Sequence, residues 1–140
     1  MHTFQTSRDL PYSPTAVFAA FADSTRLARW WGPEGFYNTF DVCDFQPGGS
    51  WKFTMHGPDG QAYPNESVFG AIEPGRKVVI HHIVAPRFEL TVELAAVAGG
   101  TRVSWVQVFE DAAVAAAVRH IVEPSNEQNL DRLTAEVAAG

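Results

Sequence analysis

Gly48-Gly49-Ser50-Trp51-Lys52-Phe53-Thr54-Met55-His56-Gly57-Pro58-Asp59-Gly60 is the stretch that decides the fold. Trp51, Phe53 and Met55 stand at alternate positions and so share one face of a strand. A Gly-Gly entry and a Gly-Pro-Asp-Gly exit bound that strand with turn chemistry. Bulky, partly polarisable side chains in a row either fill a core or wall a ligand cavity. Both readings stand at this level.

Working outward, a period of two holds from about residue 36, with strands expected near 38–45, 50–56, 62–72, 77–84, 88–96 and 101–109. Their separators, Pro47-Gly48-Gly49, Gly57-Pro58-Asp59-Gly60, Pro74-Gly75, Ala85-Pro86 and Gly99-Gly100, are short. Short links imply antiparallel hairpins and hence a meander. Phe88, Leu90, Val92 and Leu94 alternate with Glu89, Thr91 and Glu93, and Val103, Trp105, Gln107 and Phe109 form a second inward set.

Ahead of this sheet, residues 3–10 read as a strand, and Ser13-Pro14 opens a helix with Ser13 as N-cap. Asp23-Ser24 caps a second short helix whose Leu27, Trp30 and Trp31 face inward until Gly32-Pro33 ends it. After the sheet, Asp111 caps a helix through Val114, Ala117, Val118 and Ile121, which Pro124 restarts or kinks. Beyond it Asn126, Asn129, Leu130, Leu133 and Val137 fall on one helical stripe. The order defines an α+β fold: one strand, two short helices, six strands and a long C-terminal helix. A helix laid on a strongly curved antiparallel sheet of about seven strands buries both apolar faces, and such a sheet can curl around a cavity.

Composition narrows the function. Residues 1–140 suit a single domain, and no apolar run approaches the ~20 residues of a membrane span. The N-terminus lacks the apolar core of a signal peptide, and the lone Cys43 excludes an internal disulfide, so a cytoplasmic location is expected. Net charge is −6 and the ten Lys and Arg residues are scattered, so nucleic acid is not an expected partner. Apart from the adjacent His81 and His82, the five histidines lie on separate elements, and no metal-ligand spacing occurs. No glycine-rich loop joins a strand to a helix, and no Gly-x-Ser-x-Gly elbow occurs, so neither metal nor cofactor is expected.

Trp30-Trp31-Gly32-Pro33-Glu34-Gly35-Phe36, Asp44-Phe45-Gln46-Pro47-Gly48-Gly49-Ser50-Trp51 and Met55-His56-Gly57-Pro58-Asp59-Gly60 together resemble bacterial single-domain proteins related to the Hsp90-ATPase activator. Tyr63-Pro64-Asn65-Glu66-Ser67-Val68-Phe69 and the run Pro124–Leu133 add to the resemblance. These proteins are grouped in the START-like, or polyketide cyclase-like (SRPBCC), helix-grip superfamily. The resemblance implies a sheet wrapped around the C-terminal helix and enclosing a mostly apolar cavity. The superfamily mixes lipid carriers, cyclases, receptors and co-chaperones, so fold does not fix activity. The family name also implies a possible contact with an Hsp90-type chaperone.

The residues expected to line a cavity for a small hydrophobic or amphipathic ligand are Trp31, Trp51, Phe53, Met55, Phe88, Trp105, Phe109, Leu130 and Leu133. Any one of them reads equally as plain core. Gln107, Asn126 and Asn129 interrupt apolar stripes, either to satisfy neighbouring backbone or to orient a ligand. His81 and His82 point to opposite faces. Pairing the hairpin at Pro74-Gly75 so that Ile72 opposes Val78 sets Val68 against His82, with Glu66 further along the same face. A Glu66–His82 pair on the inner face would be an acid–base couple for a cyclase or dehydratase; on the outer face it would be a rim ion pair. Val106 and Val108 read as outward and leave a homodimer open.

Overall fold

Three N-caps start the three helices. Ser13 Oγ accepts the Ala16 N–H at 3.2 Å, Asp23 Oδ1 those of Thr25 and Arg26, and Asp111 Oδ1 those of Ala113 and Val114. The computed structural model describes residues 2–140. Its elements run β1 (Thr3–Leu10), α1 (Pro14–Ala22), α2 (Ser24–Trp30), β2 (Tyr37–Cys43), β3 (Ser50–His56), β4 (Ala62–Glu73), β5 (Lys77–His82), β6 (Phe88–Val97), β7 (Gly100–Phe109) and α3 (Ala112–Ala139). All strands pair antiparallel in one open, curved sheet of order β1-β7-β6-β5-β4-β3-β2.

The turn before β3 needs both of its glycines. Gly48 holds φ +81°, and a Cβ on Gly49 would lie 1.9 Å from the Asp44 carbonyl oxygen. That closeness lets the turn dock on β4, where Gly48 N donates to Phe69 O and Phe69 N to Gly49 O. The docked turn brings Trp51 fully inside. Its ring stacks on Phe53 and Phe69 and meets Trp31 and Phe40 edge-on. Leu130 and Leu133 of α3 are also fully buried. Of the alternatives in sequence, Trp51, Phe53, Leu130 and Leu133 are core.

Two expectations need correction. On the N-terminal half of α3, Val114 and Ile121 are 36% and 56% exposed, while Ala115 is fully buried. The inward set runs Ala115, Val118, Val122, Asn126, Asn129, Leu133, continuous in phase with the C-terminal half. Ala115 packs in a small cluster with Phe4 of β1 and Phe109 of β7. Helix α3 also continues through Pro124 rather than restarting there.

The second correction concerns the β4–β5 register. Ile72 does oppose Val78, but Phe69 opposes Ile80, so Gly70-Ala71 form a bulge of one extra residue in β4. A Cβ on Gly70 would meet His81 Nε2 at 2.7 Å, so a larger residue there would have to displace the imidazole. Beyond the bulge the faces exchange, and Ser67, not Val68, opposes His82.

Candidate functional site

A cavity of about 340 Å³ lies between the concave sheet and α3. Trp31 and the Gly32-Pro33 turn close one side, and Met55, Phe88, Leu90, Trp105 and Phe109 rise from the sheet. Val118, Ile121, Val122 and Ser125 face it from the N-terminal half of α3. His82, Gln107, Asn126 and Asn129 supply polar atoms. Nine of the sequence-predicted residues therefore meet at one place: Trp31, Met55, His82, Phe88, Trp105, Gln107, Phe109, Asn126 and Asn129.

The polar groups are partly committed to one another. Asn126 Nδ2 donates to Gln107 Oε1 at 3.1 Å, and Asn129 Oδ1 accepts the Gly32 N–H at 3.1 Å. Arg132, one turn along α3, spends its guanidinium on the carbonyls of Arg29, Trp31, Gly32 and Pro33 at 2.7–3.1 Å. Asn129 and Arg132 thus fix the turn that forms the cavity wall. Gly32 adopts φ +97° there, and a Cβ would collide with Met55 Cε at 2.7 Å.

His82 sits at the far end, stacked on Phe88 at 4.6 Å. Nδ1–H donates to Pro86 O at 2.7 Å, which fixes the tautomer of the neutral ring. Nε2 lies 2.9 Å from Asn65 Oδ1, while Asn65 Nδ2 donates to Tyr63 O at 2.9 Å. With a neutral ring, lone pairs face each other across that contact. It becomes a hydrogen bond when the ring is protonated or when the amide turns over and releases Tyr63 O. Burial pushes the imidazole below its usual range and the Arg87 charge adds to this, outweighing the carbonyls of Pro86 and Val84 that favour the cation.

The Glu66–His82 couple is not formed. The Gly70-Ala71 bulge turns Glu66 to the outer face, where its carboxylate is 3.4 Å from Lys52 Nζ. Asn65 takes the place beside His82. No sequence pattern marks Asn65 for this role, because it follows only once the bulge is known. Tyr63, Pro86, Leu90, Val122 and Ser125 were likewise not singled out as cavity residues; Leu90 and the α3 residues could have been found by extending the inward stripes.

No other chemistry gathers nearby. Among the described residues, no three His, Cys, Asp or Glu side chains converge as metal ligands, and no helix is long and apolar enough to cross a membrane. Burial and the Asp44 carboxylate push the half-buried Cys43 thiol up to about 11, so it is a neutral thiol at pH 7. Val106 and Val108 are half-buried, alternating along β7 with the buried Trp105, Gln107 and Phe109.

A curved seven-stranded antiparallel sheet gripping a long C-terminal helix over an apolar cavity defines the START-like helix-grip class. Residues 11–138 match the family model for Activator of Hsp90 ATPase homolog 1-like proteins, and the chain belongs to that family. A protein from Chromobacterium violaceum is 26% identical, with a TM-score of 0.84 and 96% of each chain covered. The AHSA1 protein from Silicibacter pomeroyi is 24% identical at a TM-score of 0.81, with 98% of each chain covered. A protein from Nitrosomonas europaea, 16% identical, superposes at 0.88 over 99% of this chain and 95% of that one, and speaks for the fold alone. Comparison with curated proteins finds no match.

Proposed function

We propose that this protein binds a small hydrophobic or amphipathic molecule in the cavity between the sheet and α3. One observation carries this: about 340 Å³ of space whose walls are mainly aromatic and aliphatic, with a few amides among them. A filled core would have closed it. The volume falls at the small end of ligand pockets. Members of the superfamily typically bind hydrophobic ligands, which agrees with this reading. Burying ~150 Å² of apolar ligand surface contributes about 4 kcal/mol before the costs of association. Micromolar affinity therefore requires the polar groups or a larger ligand to add the rest.

A thermal-shift screen of small apolar and aromatic molecules tests the proposal, run in parallel on Val118→Trp, which places an indole in the cavity. Molecules that raise Tm in the native protein and not in the variant, with far-UV circular dichroism unchanged, are the expected result. A flat response across a broad panel, or equal shifts in both proteins, would refute it.

A further inference from the structure

The walls of the cavity restrict the ligand further, an inference that rests on the binding reading above. No lining residue is Asp, Glu, Lys or Arg. The recess on the other side of His82, Phe88 and Phe109 differs, since Arg87, Glu89 and Glu110 line it. The guanidinium that reaches the inner cavity's Trp31–Pro33 wall is Arg132, and its fork is occupied by four backbone carbonyls. Burying a carboxylate or an ammonium here would strip its water without offering a countercharge. The net charge of −6 adds a general disadvantage for anions.

The free hydrogen-bonding groups are unequal. Gln107 Oε1 is taken by Asn126 and Asn129 Oδ1 by Gly32. Among the described residues, Gln107 Nε2 and Asn129 Nδ2 donate to nothing, although both residues are more than nine-tenths buried. Trp105, 1% exposed, has a buried indole N–H without an acceptor. Against the two amide donors at this end stands Asn126 Oδ1 as the uncommitted amide oxygen, while the acceptors His82 Nε2 and Asn65 Oδ1 oppose each other at the far end. Neither amide nitrogen is sealed from the cavity, so an acceptor on the ligand would take the place of the water these donors otherwise bind. Trp31, Trp105, Phe109 and the stacked His82–Phe88 pair present ring faces and edges to an occupant.

We propose that the cavity selects an uncharged molecule with a flat, largely apolar body and a carbonyl acceptor, as in an aromatic ketone, ester or quinone. Gln107 Nε2 is the donor named for that carbonyl, with Asn129 Nδ2 beside it.

Three probes of one skeleton test it by isothermal titration calorimetry at pH 7.5: 2-acetonaphthone, 2-ethylnaphthalene and 2-naphthoate. The ketone should bind about fivefold more tightly than the hydrocarbon, the effect of one net neutral hydrogen bond. It should exceed the carboxylate by tenfold or more. In Gln107→Leu the ketone should lose its advantage while the hydrocarbon holds its affinity. Naphthoate binding as tightly as the ketone, or ketone and hydrocarbon binding alike, overturns the inference and leaves the cavity a binding site. Absence of binding by all three, repeated across the wider panel, overturns the binding reading itself and this inference with it.

Discussion

His82 shows how one side chain is set by its surroundings. Burial holds its imidazole below the ordinary value of 6.5, so the folded protein binds that proton less readily than the unfolded chain does. The contribution to stability is complete above about pH 6.5, and it is lost as the pH falls from there through the folded value. Urea melts at pH 7.5 and 5.5 should therefore show a loss in the native protein that His82→Gln does not share. Nitrogen-15 spectra at pH 7.5 should show a neutral ring protonated at Nδ1, as the bond to Pro86 O requires. An Nε2–H ring at that pH, or a midpoint above 6.5, would contradict the environment described. The same spectra report on Asn65, whose amide must release Tyr63 O if it is to donate to the neutral ring.

Among elements, the link from α3 to the Trp31–Pro33 turn determines whether the cavity has a wall. Asn129 and Arg132 stand three residues apart on one helix face and together hold one N–H and four carbonyls. Asn129→Leu leaves the Gly32 N–H unpartnered and should cost about 1–2 kcal/mol, with faster hydrogen exchange at the Gly32 amide. Arg132→Lys should cost a similar amount, about 1–2 kcal/mol, because an ammonium cannot span carbonyls that a planar fork reaches. Unchanged Gly32 exchange in Asn129→Leu would show that the turn holds itself. Sequence pattern revealed the parts of this link but not the link. Asn129 stood out as polar on an apolar stripe, whereas nothing marks an arginine that will serve backbone carbonyls far along the chain. Strands, caps and hairpins were legible because each depends on neighbours within a few residues. The Gly70-Ala71 bulge was not, since it is set by pairing with the adjacent strand rather than by neighbours along the chain, and with it went the place of Glu66.

Over the whole molecule, α3 is two helices in energetic terms. Its C-terminal half carries Leu130, Leu133 and Val137 into the core, and Glu136 accepts from both Arg26 and Arg29. Asp131 and Glu127 bind Arg8 of β1. The N-terminal half rests on the small cluster of Phe4, Phe109 and Ala115, leaves Val114 and Ile121 exposed, and spans the cavity. Between the halves stands Pro124, which has no N–H for the helical ladder. Local opening is easiest where few apolar contacts would be lost. Amide exchange by mass spectrometry should therefore be faster over 113–123 than over 128–137 in the free protein, by tenfold or more. A molecule in the cavity touches Val118, Ile121 and Val122 and should slow the first segment while leaving the second unchanged. Equal protection along α3 in the free protein would mean that the helix moves as one body. In that case the ligand must enter by a route other than its N-terminal half.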